Sequence, residues 1–117
     1  MKFMLTLRNQ VKVYHWETMI YSRHKATDEL VDKLDENIDK FVEVFLGKYG
    51  LPKLGKTSLK IRDYHDKEVP LLLREAIDWL TFSLPKKLKR TDSDLLNIRD
   101  ELLSDLNQTL YLFTLRG

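Results

Sequence analysis

The chain has 117 residues, 43% of them hydrophobic and 32% charged, a net charge of +2 at neutral pH and no cysteine. That size and balance predict one soluble domain with its own core, and they exclude disulfides and thiolate metal sites. The near-neutral charge does not announce a nucleic-acid binder.

Four helical segments are predicted in chain order. The first runs from about Lys2 to Met19, with Phe3, Leu7, Val11 and Tyr14 on one stripe and Met4 and Trp16 flanking it. The second runs from about Ser22 to Leu46, with Leu30, Leu34, Ile38, Phe41 and Phe45 at helical spacing and Gly47 or Gly50 as its stop. The third runs from about Lys67 to Leu84. Pro70 falls in its first turn, where a missing N–H costs little, and Pro85 ends it. Trp79 and Phe82 on it are expected in the core. The fourth runs from about Ser93 to Leu115, with several N-caps in TDSD and a stripe from Leu95 to Phe113. Alternation with a period of two is nowhere sustained, so the expected architecture is all-α: one short, compact four-helix bundle over residues 1–117.

The second segment carries the residues with the most chemistry. His24 and Asp28 stand four apart near its start, and Asp39 and Glu43 four apart near its end. On a wheel of about 100° per residue all four share one strip about 100° wide, beside the apolar stripe. The centres of the two pairs are 15 residues apart, roughly 22 Å at about 1.5 Å per residue. A metal bond to imidazole or carboxylate is about 2 Å long, so one chain cannot close both pairs on one ion. Two copies laid antiparallel about a two-fold near Lys33 and Leu34 can, and they make two equivalent sites per dimer. The competing reading is a solvated helix face, since this segment also carries Lys25, Glu29, Asp32, Lys33, Asp35, Glu36 and Lys40. His15, just upstream, reaches His24 if the chain turns between Met19 and Ser22. With no cysteine, the available donors suit iron, manganese or zinc.

These residues resemble the Dps-type mini-ferritins, the DNA-protecting branch of the ferritin superfamily. The family's first helix ends in His-Trp, matched by His15 and Trp16 in YHWET, and its second helix carries the pattern of His24, Asp28, Asp39 and Glu43 without a gap. DLNQTLYLF, residues 105–113, looks like its last helix, and LRNQVKVYHW and HKATDELVDKL look like small ferritin-like proteins of large algal DNA viruses. The resemblance implies a ferritin-like bundle that oxidises Fe(II) to Fe(III) with hydrogen peroxide or dioxygen, at sites shared by two subunits. His15, His24, Asp28, Asp39 and Glu43 would be the metal ligands, and Trp16 would take up a stray oxidising equivalent. Zinc or manganese would be substitutes for iron. It implies a homo-oligomer, a dimer or a dodecamer, inside a cell or a virion. The chain departs from the family in a shorter link between the two histidines, a third segment with a shortened loop, and no lysine-rich N-terminal tail; the missing tail counts against DNA binding, and the shortened segment leaves the dimer and the dodecamer as alternatives. The alternative is a ferritin-like structural or interaction protein without turnover.

Weaker signals remain. GLPKLGKT, residues 50–57, matches the phosphate-loop letters but follows a helix rather than a strand, so a helix-ending turn is expected. KKLKR, residues 86–90, reads as a solvated cationic loop at a helix end, with nucleic-acid binding as the alternative. His65 reads as a surface-loop histidine beside Asp63 and Asp66. No Glu stands three before a histidine, so a di-iron centre inside one bundle is disfavoured. The first residues, MKFMLTLRNQVK, hold no apolar run long enough for a signal peptide or membrane span, which predicts an intracellular protein with no membrane contact.

Overall fold

A computed structural model describes residues 1–51 and 54–115. Its helices are α1 (Lys2–Glu17), α2 (Tyr21–Tyr49), α3 (Val69–Asp78) and α4 (Ser93–Leu112). Among the described residues there is no strand, and no helix is long and apolar enough to cross a membrane.

Each helix buries the stripe its sequence announces. Leu7, Val11 and Tyr14 of α1, Leu30 and Leu34 of α2, Leu73 of α3 and Leu95, Leu102 and Leu106 of α4 lie in one core. Each fully buried leucine contributes roughly 1.5–3 kcal/mol of transfer free energy. The third segment is less regular than the single helix expected from Lys67 to Leu84. After Asp78 the chain widens into a π turn, Trp79–Ser83, in which the Leu84 N–H reaches the Trp79 carbonyl, and then tightens into a 3-10 turn, Leu84–Lys87. Pro85 explains the change, because it has no N–H and its ring would collide with the carbonyl four residues back. Within this stretch Trp79 stacks on Phe3 at 4.2 Å. Phe82 is 64% exposed, so the expectation of a core residue fails there: two residues beyond buried Leu80, it falls about 200° further round the helix, on the side away from the stripe.

Polar contacts set the directions of the helices. Arg8 bonds Asp35 at 2.8 Å, which makes α1 and α2 an antiparallel hairpin. Lys48–Asp94, Asn37–Asp105 and Lys33–Gln108 run α4 antiparallel to α2 along most of its length. Between the end of α2 and the start of α3 the chain crosses from one end of the bundle to the other. Buried Gln10 holds that crossover to α1 by donating to the Arg62 carbonyl and accepting from the Arg62 N–H. At its far end Asp66 accepts from Tyr14 and Thr18 at 2.7 and 2.9 Å. The helices therefore run up, down, down and up, with one long connection.

Two loop readings can be placed. Gly50 ends α2 with a φ of 80°, the left-handed region that favours glycine. Residues 54–59 are neither helix nor strand, while Pro52 and Lys53 of the phosphate-loop look-alike lie outside the described residues. His65 is an exposed loop residue.

Candidate functional site

The hairpin between α1 and α2 turns in three residues, without glycine or proline. Thr18 leaves the helix with extended backbone angles. Its hydroxyl accepts from the Ile20 N–H and donates to Asp66. One side chain thus shapes the turn and ties it to the crossover. The turn brings His15, near the end of α1, onto His24, in the first turns of α2.

The two imidazoles stack with centroids 4.0 Å apart and planes 17° apart. Nδ1 of His15 lies 2.8 Å from the His24 carbonyl oxygen, and Nδ1 of His24 lies 2.9 Å from the His15 carbonyl oxygen. A carbonyl oxygen only accepts, so both Nδ1 atoms carry the proton and donate. In the neutral rings each Nε2 is then left with a free lone pair. Metal-binding histidines commonly sit this way, with one ring nitrogen donating to a carbonyl and the other turned to the ion.

The surroundings of the pair are unequal. His15 is only 6% exposed, whereas His24 lies at the surface. Thr27, 1% exposed, donates its hydroxyl to the Arg23 carbonyl, and the same oxygen lies 3.2 Å from His15 Nδ1. Asp28, one turn beyond His24, has a carboxylate oxygen 3.8 Å from His15 Nε2 and is 61% exposed. His15, His24 and Asp28 therefore gather at one end of the hairpin. Asp39 and Glu43 are exposed further along α2, towards its other end. No group of three or more His, Asp or Glu side chains among the described residues is placed to hold a metal ion within one chain.

Trp16 points away from the core. It is 67% exposed, with the Lys12 ammonium 5.5 Å from its ring centroid. Beside the turn, a hydrogen bond to Asp63, ahead of burial, raises the Glu17 carboxyl above its ordinary value.

Spacing alone misses several residues that shape this end. Thr27 falls on the buried edge of α2 and reads as an ordinary β-branched helix residue. Tyr14, Arg23 and Asp66 form a network across 43 to 52 residues of chain, which local periodicity cannot register. Gln10 did leave a signal, a polar side chain on the apolar stripe between Leu7 and Tyr14, where a buried amide requires partners.

No curated protein and no solved structure matches the chain. The family of unknown function DUF5856 matches residues 15–113, from the first histidine of the pair to Phe113 at the end of α4. The chain belongs to that family.

Proposed function

We propose that this protein is a ferritin-like, Dps-type ferroxidase whose Fe(II) sites are completed by a second copy of the chain. The observation that carries the reading is the reciprocal histidine pair: each Nδ1–H is spent on the other residue's carbonyl, each Nε2 stays available, and that of His15 lies 3.8 Å from an Asp28 carboxylate oxygen. The up-down-down-up course with one long crossover supports a ferritin-like bundle, since ferritin-like folds have one such connection. The missing third ligand within a single chain agrees with a shared site, because Asp39 and Glu43 lie too far along α2 to serve the same chain's histidines.

In this reading Fe(II) is the substrate. His24 and Asp28 bind it from one chain, with His15, buried behind them, as a further donor in reserve. Asp39 and Glu43 bind it from the partner subunit and, as anions, favour the ferric product. Each Fe(II) gives up one electron, and hydrogen peroxide takes up two electrons and two protons and leaves as water. Thr27 and the two carbonyls keep the imidazoles in the tautomer that binds. Anaerobic Fe(II) titration followed by peroxide tests the reading. Saturable oxidation at two sites per dimer, lost in His24→Ala and Asp39→Ala, is expected; oxidation no different from those variants would overturn it.

The absence of three converging ligands in one chain also favours a second reading, a ferritin-like structural bundle without turnover. The same titration separates the two, because that bundle would show no saturable step.

A further inference from the structure

Trp16 and one groove lie on a single face of the molecule. Along α1, Leu5, Asn9, Lys12 and Trp16 follow at helical spacing, within about 60° of one another on a wheel of about 100° per residue. Leu5 at the lower end of that row lines a groove of about 420 Å³ with Ile38 and Val42 of α2, edged by Asp35 and Asp39. Trp16 at the upper end projects from the surface. The face thus has a large aromatic knob at one end, an apolar groove at the other, and the Arg8–Asp35 ion pair between them.

The positions of knob and groove define an axis. Arg8 meets Asp35 and His15 meets Asp28, so each step up α1 is one step down α2, and Trp16 lies level with Thr27. The α2 residues of the groove are centred near Ile38 and Asp39. A two-fold that carries knob onto groove must then cross α2 close to Lys33. The two ligand pairs, treated separately, require a two-fold between Lys33 and Leu34. The two positions agree to within about one residue, or roughly 1.5 Å of helical rise. Neither feature uses the other's residues except Asp39, which edges the groove.

We infer that Trp16 of each copy seats in the Leu5–Ile38–Val42 groove of a two-fold partner, and that this reciprocal contact anchors the dimer. The axis rests on the shared-site reading above; the seat itself rests on exposure and shape. Tryptophan is the residue type most often found as an interface anchor, because its ring buries about 150–250 Å² with little loss of rotamer freedom. Charge fits the same occupant. Lys12 travels with the indole and arrives at the level of Asp35, whose carboxylate already holds Arg8 at 2.8 Å. It therefore adds to that ion pair rather than meeting a bare acid, and Asp39 is the other carboxylate at the same edge. A second copy is the occupant because it presents both halves of the contact at once. Trp16 becomes an interface anchor, distinct from the redox role that the family resemblance implies for it.

Sedimentation of the full chain over a dilution series tests the seat. Both Trp16 and Leu5 are exposed, so Trp16→Ala and Leu5→Lys are expected to keep the helical circular dichroism of the parent. Each should weaken dimerisation by about 30-fold or more, the least that an interface hot spot contributes. Mixing the two variants is the sharper measurement. The Leu5→Lys chain still has its tryptophan and the Trp16→Ala chain still has its groove, so the mixed pair regains one contact and should associate more tightly than either variant alone. A parent that stays monomeric, a variant that dimerises like the parent, or a mixture no tighter than its components would overturn the seat. Fe(II) titration keeps the two proposals apart. A Trp16→Ala protein that remains dimeric and binds Fe(II) sinks the seat and leaves the shared site standing, whereas a tryptophan-dependent dimer with no Fe(II) binding upholds the seat and sinks the iron reading.

Discussion

Two polar clusters sit at opposite ends of α2, and they differ in what they leave unused. At the far end Asp92 is 1% exposed. Its carboxylate accepts from the Lys48 ammonium at 2.8 Å, the Tyr49 hydroxyl and the Lys89 N–H at 2.8 Å. These donors occupy its lone pairs and hold its pKa down to about 2, with the Lys48 bond the largest cause. At the near end the two histidines each spend one ring nitrogen on the backbone and keep the other. A buried polar group whose bonding capacity is consumed is a fastening for the chain. One that keeps a lone pair aimed at a carboxylate has something left for a ligand. Burial alone does not separate the two, since Asp92 is more buried than His15.

The largest expected effect would break this comparison if it failed. Asp92→Ala removes the acceptor shared by Lys48, Tyr49 and Lys89 and so unfastens the start of α4 from the end of α2. A marked fall in the urea midpoint is expected, with Fe(II) stoichiometry per folded chain unchanged. His24→Asn is the counterpart. The asparagine amide can still donate to the His15 carbonyl, so the hairpin should keep its midpoint. The lost Nε2 should weaken Fe(II) binding by about 10–100-fold or more, the range seen when the surroundings of a metal ligand are disturbed. If both variants lose both properties, the two ends are one cooperative structure and the distinction falls.

Acid titration sharpens the same contrast. Asp92 in the folded chain ionises at about 2, against about 3.9 for an aspartate in an unfolded chain. Between those values the unfolded chain binds a proton that the folded chain does not, so stability falls as pH falls. The contribution of Asp92 is complete above about pH 4 and is lost as the pH drops through about 2. Urea midpoints measured across that window should slope steeply for the parent and less for Asp92→Asn, which starts lower and has no such proton to bind. An equal slope in both would assign the acid sensitivity to other carboxylates.

The helices were legible because each buries a stripe with a period near 3.6, and Leu34, Leu102 and Leu106 lie where that period puts them. The end of the third segment was not, because Pro85 acts backwards on the turn before it and the resulting widening has no pattern of its own. The strip of His24, Asp28, Asp39 and Glu43 was legible as one helix face. Whether His15 joined it depended on the three residues from Thr18 to Ile20, whose path is set by the Thr18 hydroxyl and by Asp66, 48 residues away. Asp92 reads in the sequence as one N-cap candidate among several in TDSD. It does hold the N-cap position, but its side chain makes no cap bond there and turns to Lys48 and Tyr49, partners that no local spacing reveals.

The smallest expected effect asks how much of the near end is fastening and how much is function. Thr27 donates to the Arg23 carbonyl at 2.7 Å and lies 3.2 Å from His15 Nδ1. Thr27→Val keeps the shape and removes the hydroxyl. The cost in stability should be about 1 kcal/mol, that of one intrachain hydrogen bond, read as a small drop in the urea midpoint. Fe(II) affinity should stay within a factor of about two, or roughly 0.4 kcal/mol. The reason is the order of distances: the His24 carbonyl stands nearer to His15 Nδ1 than the hydroxyl does, and a carbonyl alone dictates which nitrogen carries the proton. A loss of affinity as large as that of His24→Asn would mean that the carbonyl contact does not hold the ring, and that the availability of His15 Nε2 depends on the threonine instead.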